Sequence, residues 1–325
     1  MILKSNPKAI DNAAKTLEDG GVVVFPTETV YGLGGDATND LAVAKVYKIK
    51  NRPIFNPLIA HFYDIEQLKK YVELPPVAND IARAFWPGPL TLVLKRKENS
   101  PLSLLASTGL DSIGVRIPNH PTALAIIKAF GRPIVAPSAN ISARISPTSA
   151  YDAEAALENQ SLLILDGGKC EIGIESTIVD LSCDNVTILR PGAITAKDLS
   201  RFININDAVS FTIKAPGQMS RHYSPCSKMR LNATCLYSEE ALLAFGDTDK
   251  ILPADTKYTC LNLSKSYSLN EAAANLFAMM RGLDQLVPSA IAVMPIPNEG
   301  IGLAINDRLT RAANYDWEAR LGKKP

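Results

Sequence analysis

The chain has 325 residues, 46% of them apolar and 21% charged, and its 34 Lys and Arg nearly balance its 33 Asp and Glu. That length predicts two domains, while near neutrality excludes wholesale coating of nucleic acid and leaves any anion site to be built locally. Scattered cysteines without CxxC spacing, no apolar leader and no long apolar run predict a reduced, cytoplasmic protein without a membrane span.

A packing helix is predicted over 7–19, with Ile10, Ala13, Ala14 and Leu17 on one face, Ser5 or Asn6 as its cap and Gly20-Gly21 as its stop. The stretch 22–61 follows, and the chemistry concentrates there. Residues 22–25 are an apolar, β-branched run ended by Pro26, the pattern of a buried strand. Next, Thr27, Glu28, Thr29 and Tyr31 crowd donors and acceptors at the open end of that strand, where sites collect. Gly32, Gly34 and Gly35 read as a loop whose backbone comes close to a ligand. A helix over 40–48 leads to Lys50 and Arg52, then to Asn56, a short strand at 57–60 and His61. Taken singly, each feature fits a turn and a solvated basic helix end. Their succession points to a site for a phosphate and a small molecule.

Helices are predicted over 65–72 and 77–85, and Trp86-Pro87-Gly88-Pro89 reads as a rigid turn into a strand at 90–94. A strand over 112–117 carries Arg116. A cation on an apolar strand requires an anion, either a structural carboxylate or a ligand carboxylate or phosphate gripped by two N–H donors. After a helix over 122–130, a strand at 133–136 breaks into Pro137-Ser138-Ala139-Asn140. Residues 138–149 carry hydroxyls and amides suited to a triphosphate, or form a plain polar surface loop. Strands at 162–165, 175–180 and 186–189, the last leading to Arg190, bring the predicted strands to eight. Their irregular alternation with helices predicts a mixed, twisted sheet with flanking helices. From about Asn206 the periodicity fades into a linker whose Arg221, His222 and Tyr223 are unusual for a passive tether, and which is expected to fold over the first domain's site. Beyond it, strands near 231–236, 260–263 and 290–294 and helices over 271–286 and after Asn306 suggest a small Rossmann-like layer. Gly300-Ile301-Gly302 lacks the third glycine of a dinucleotide fingerprint, and no GxxxxGK[ST], GxSxG or HExxH occurs.

The blocks PTETVYGLG, KNRP followed by NPLIAH, WPGPLTL, VRIPNHP, PIVAPSAN, ESTIVD and RPGAI occur in that order. They resemble the YrdC-like threonylcarbamoyl-adenylate synthase family, and APGQMSRHYSP with GLAINDRLTRAAN resembles its two-domain branch. There are two departures. Ala143 follows Ser142 where the family usually has glycine, and Gln218-Met219-Ser220 replaces more usual basic and aromatic residues. The resemblance implies an α/β protein: a catalytic domain over 1–205, a mixed sheet with flanking helices around a large cavity; a linker or lid over 206–228; and a Rossmann-like domain over 229–325.

The resemblance also implies a nucleotidyltransferase that turns L-threonine, bicarbonate and ATP into threonylcarbamoyl-AMP and pyrophosphate, with Mg2+ held by the phosphates rather than by protein side chains. A partner transferase would then modify tRNA with the product, and direct tRNA contact stays open. Carried over residue by residue, the resemblance implies Thr29, His61, Arg116, Ser176 and the backbone of Ala136 for threonine. For ATP it implies Lys50, Arg52, Asn56, Ser112, Ser138, Asn140, Ser146, Arg190 and Tyr223, with Lys50 and Arg52 meeting transition-state charge. The competing reading is an RNA-binding module with a basic cavity and no chemistry, whose affinity would fall steeply with salt.

Overall fold

The structure, a computed structural model, describes residues 1–157, 160–183, 185–204, 215–216, 222–249, 251 and 259–314. The chain divides into two compact units, Met1–Ser142 with Ser146–Gln218 and Ala143–Ile145 with Met219–Pro325. Gln218-Met219-Ser220 and Arg221, singled out above, lie outside the described residues, as does much of the 206–228 stretch. No described helix is long and apolar enough to cross a membrane.

The first unit runs β1 (Ile2–Lys4), α1 (Pro7–Glu18), β2 (Val22–Phe25), β3 (Gly32–Asp36), α2 (Asp40–Lys50), β4 (Ile59–His61), α3 (Ile65–Leu68), α4 (Pro76–Phe85) and β5 (Leu90–Lys95). It continues with β6 (Ser112–Arg116), α5 (Pro121–Phe130), β7 (Ile134–Val135), α6 (Ala150–Ala156), β8 (Leu163–Asp166), β9 (Thr177–Asp180), β10 (Thr187–Arg190) and α7 (Ala196–Leu199). Ten strands form one sheet in the order β1-β8-β2-β3-β7-β4-β6-β5-β9-β10, with parallel and antiparallel neighbours mixed. The predicted mixed sheet with flanking helices is therefore present.

Local chemistry sets the ends of its helices. The Asn6 side chain accepts from the Ala9 N–H and Pro7 opens α1, and Asn39 caps α2 in the same way. Helix α2 then stops at Asn51, which takes a left-handed backbone with φ 48°. That stop turns the chain sharply between Lys50 and Arg52.

Two of the ten strands differ from the sequence expectation. β1 is a three-residue edge strand, too short for periodicity to reveal. The more consequential difference is β3: the glycines read as a ligand-facing loop form a central strand, antiparallel to β2 and β7. A Cβ on Gly34 would stand 2.5 Å from the Phe25 ring and 2.9 Å from Ile134, and one on Gly35 would stand 3.1 Å from Val46 of α2. These positions are glycine because the sheet and helix press against them, not because a ligand does.

The second unit holds β11 (Lys228–Arg230), β12 (Ala241–Ala244), β13 (Cys260–Asn262), α8 (Leu269–Asp284), β14 (Ala290–Val293) and α9 (Gly302–Ala313). Its strands lie in the order β11-β14-β12-β13 and every pairing is parallel. Residues 231–236 are not a strand as expected. The chain leaves β11 through Asn232, which has φ 54°, and the missed strand is β12. Its sequence ALLA lacks β-branched residues, and full burial of all four residues gives no alternation to read. The last helix starts at Gly302, four residues before Asn306, and a Cβ there would meet the Pro297 carbonyl oxygen at 2.0 Å. The glycines at 300 and 302 thus serve a tight helix entry, not a dinucleotide.

Candidate functional site

The site in the first unit follows from alternation on neighbouring strands. β4 and β6 are parallel with His61 opposite Arg116 and Ile59 opposite Gly114, so these four share one face of the sheet. Ser112, Gly114 and Arg116 likewise line that face of β6. A Cβ on Gly114 would come within 3.2 Å of Ile59 and 3.3 Å of Thr91, which places Thr91 of β5 there too. The opposite face, through Ala60, Leu92 and Val115, enters the main apolar core. The chemistry therefore lies on one face and the packing on the other.

Arg116 lies 2.7 Å from Glu28 through Nη2 and donates from Nε to the Gly88 carbonyl at 3.2 Å. The Trp86-Pro87-Gly88-Pro89 turn thus supplies an oxygen that orients the guanidinium. Beside Glu28, the Thr29 hydroxyl is 2.8 Å from that of Thr27, which donates to the Val30 carbonyl at 2.6 Å. His61 is buried, its Nδ1 3.2 Å from the Ile59 carbonyl. Burial first, and then the neighbouring Arg116 charge, hold its pKa down to about 3, so the ring is neutral at physiological pH. Ala136 donates its N–H to the Ile59 carbonyl at 3.1 Å, so only its carbonyl is left to face a ligand.

From Thr91 the contacts continue to Ser176, whose hydroxyls are 2.8 Å apart. Arg190 reaches Ser176 twice, from Nε to the carbonyl and from Nη2 to the hydroxyl, both at 3.0 Å. Arg190 Nη1 lies 3.5 Å from the Pro216 carbonyl. Ala215 is buried in a small apolar cluster with Ile59, Val93, Ile178 and Leu189, on the same sheet face. The two described residues of the expected linker that belong to this unit therefore cover part of the face that carries the site.

The basic residues at the other end of the stretch bind to backbone. Lys50 is buried and donates to the carbonyls of Ser138 and Asn140, the latter at 2.6 Å, which ties the end of α2 to the serine-rich loop. Burial, and secondarily Arg52, push its pKa well below the usual lysine value, opposed by Glu175. Arg52 donates to the carbonyls of Asn56 at 3.1 Å and Pro57 at 2.9 Å. Ser146 donates to the Glu175 carboxylate at 2.5 Å, immediately before Ser176.

Tyr223 lies in the second unit, stacked on Phe277 with centroids 5.4 Å apart and with the Arg308 guanidinium 5.5 Å from its ring centre. The other residues expected at the site belong to the first unit. The sequence reading counted Glu28 among the donors and acceptors at the strand end without giving it a ligand, and assigned no role to Thr91 or Glu175. Glu28 and Glu175 carried a usable signal, since each is an acid set among short hydroxylated residues beside a strand. Thr91, inside an apolar strand, carried none.

A buried sheet face bearing paired charges, hydroxyls and carbonyl-anchored cations defines an α/β protein that binds small charged ligands. The family model for Sua5, YciO and YrdC proteins, described as telomere recombination, matches residues 15–192, and that of the threonylcarbamoyl-AMP synthase C-terminal domain matches 194–314. The threonylcarbamoyl-AMP synthase of Pyrococcus abyssi is 37% identical over 93% of each chain, and that of Bacillus subtilis is 36% identical over 96% of this chain and 94% of its own. The crystal structure of P. abyssi Sua5 complexed with L-threonine superposes with a TM-score of 0.86 at 33% identity, covering 97% of both chains. The chain belongs to the Sua5/YciO/YrdC family, in its two-domain threonylcarbamoyl-AMP synthase branch.

Proposed function

We infer that this protein joins L-threonine, bicarbonate and ATP into threonylcarbamoyl-AMP, releasing pyrophosphate and water. The observation that carries this reading is that Glu28 pairs with Arg116 beside buried His61 on one sheet face, which also carries Thr91, whose hydroxyl meets Ser176 and through it Arg190. Arg116 would clamp the threonine carboxylate, with neutral His61, Thr29, Ser176 and the Ala136 carbonyl around the rest of the amino acid. Lys50, Arg52, Asn56, Ser112, Ser138, Asn140, Ser146, Arg190 and Tyr223 would meet ATP.

The chemistry needs no covalent nucleophile. Threonine's nitrogen takes up the carbon of bicarbonate to give a carbamate, and a carbamate oxygen then displaces pyrophosphate from the α-phosphorus. Positioning and neutralisation of charge supply the catalysis, with Lys50 and Arg52 at the phosphates. Mg2+ would be held by the phosphates, whose charge it offsets. The product is a mixed anhydride that water destroys, so covering the site matters, and residues 206–228 are proposed to act as a lid between a catalytic domain over 1–205 and a further domain over 229–325. A transferase acting on tRNA would consume the product.

The test is one incubation of purified protein with ATP and Mg2+, with and without threonine and bicarbonate, following pyrophosphate and the mass of the adenylate. Both products should require both co-substrates. A folded, ATP-binding protein that makes neither would overturn the reading and turn attention to salt-dependent RNA binding.

A further inference from the structure

Glu28 and Arg116 form a buried pair of opposite charges at the site. Both side chains are buried, 4% and 5% exposed, and the charges touch at 2.7 Å. Yet among the described residues neither Glu28 oxygen, nor Arg116 Nη2, has a properly aligned hydrogen bond. Buried charges left with unmet hydrogen-bonding capacity are costly and rarely kept for stability alone. Two carboxylate acceptors and a guanidinium donor, side by side and incompletely bonded, are the complement of a zwitterion: an ammonium with three donors next to a carboxylate with acceptors. Among the described residues, the charged or ionisable groups in reach of Glu28 are Arg116, His120 and Cys170. Burial disfavours the charged forms of the last two, leaving Arg116 as its cation.

We propose that Glu28 binds the α-ammonium of the amino acid substrate while Arg116 holds its carboxylate, and that Glu28 accepts the proton the ammonium must lose to become a nucleophile. This rests on the synthase reading above and extends it to a residue that reading does not use. One ammonium proton passes to Glu28 and thence to solvent, freeing the nitrogen lone pair. The N–C bond to bicarbonate forms, the C–OH bond breaks, and the departing hydroxide takes a second ammonium proton to leave as water. The third proton stays on the carbamate nitrogen. Pairing an acid with the arginine also explains recognition of a free amino acid, since a carboxylate lacking the ammonium would meet Glu28 with like charge.

The test compares threonine with 3-hydroxybutanoate, which keeps the carboxylate and hydroxyl but has hydrogen in place of the ammonium, by calorimetric binding to the full-length protein. Wild type should prefer threonine by roughly 30-fold or more. Glu28→Gln should weaken threonine by about the same factor and leave 3-hydroxybutanoate bound no more weakly than before, with kcat lower by about 100-fold. ATP affinity should hold. If Glu28 only props Arg116, both ligands will weaken equally in Glu28→Gln; that result, or a wild-type preference near one, overturns the proposal. Should the Gln variant not fold, Glu28→Asp, which withdraws the carboxylate by one methylene, must shrink the preference, and an unchanged ratio is equally fatal. Failure of wild type to bind threonine at all would instead sink the synthase reading.

Discussion

Lys50 and Arg52 rest on carbonyl oxygens, whereas Arg116 rests on a carboxylate, and the two arrangements prepare for different guests. A carbonyl fixes a cation's position without cancelling its charge. The Lys50–Arg52 region, with Glu175 within reach of Lys50, thus presents side chains held by backbone oxygens, an arrangement suited to a polyphosphate. Arg116 with Glu28 is locally neutral but strongly dipolar, which suits an amino acid zwitterion. The lysine shows the cost of the first arrangement: with no carboxylate in direct contact among the described residues, burial and Arg52 drive its pKa down, a pressure that arriving phosphates would relieve.

The sharpest way to break this contrast is to remove each arginine. Arg116→Ala strands Glu28 as a buried, uncompensated charge and should destabilise the protein by about 3–5 kcal/mol in urea unfolding. A cost under about 1 kcal/mol would mean that the pair is not buried and coupled as described. Arg52→Ala gives up bonds to the Asn56 and Pro57 carbonyls, so the fold should persist while pyrophosphate release falls by about 100-fold or more. Arg52→Lys should recover part of that loss by restoring charge without the two-point grip on the 56–57 carbonyls. Wild-type turnover in a folded Arg52→Ala protein would remove Arg52 from the phosphate region.

Much of this contrast was legible in the sequence, though unevenly. Arg116 on an apolar strand announced the need for an anion, and the structure shows the structural alternative, Glu28, already in place. The succession of Lys50, Arg52, Asn56 and His61 marked the site because one helix stop and one short strand put all four within a dozen residues. Gly32, Gly34 and Gly35 misled because close approach to Phe25, Ile134 and Val46 leaves the same local signature as close approach to a ligand. The link from Thr91 to Ser176 joins residues 85 positions apart, and strand pairing of that range is a tertiary fact with no local trace. Similarly, β12 was invisible because burial of every residue erases periodicity.

His61 sharpens the threonine side further. Its folded pKa, about 3, lies below the ordinary value near 6.5, so the folded protein keeps the ring neutral where the unfolded chain protonates it. Between those values the unfolded state binds the extra proton, and stability must fall as pH drops through that window, by up to about 1.4 kcal/mol per pH unit from this group. Burial lowers the His120 pKa as well, so the wild-type slope contains more than one histidine. The difference between wild type and His61→Asn in unfolding midpoint against pH isolates this one. Parallel curves would show that His61 is not held neutral by burial beside Arg116.

The smallest effect concerns Ala143, which takes a left-handed backbone, φ 69°. A side chain in that region costs about 1–2 kcal/mol, partly offset because glycine gives the unfolded chain more freedom. Ala143→Gly should therefore stabilise the protein by roughly 0.5–1 kcal/mol, read as a raised denaturant midpoint at unchanged slope. The residue lies just beyond the 138–140 carbonyls that hold Lys50, and its own carbonyl accepts the Ser224 N–H at 2.7 Å. If relief of strain loosens that loop, the KM for ATP will rise while that for threonine stays put, dividing the two regions again along the line their cations draw. A destabilised Gly variant would mean that Ala143 does not hold the left-handed conformation in solution.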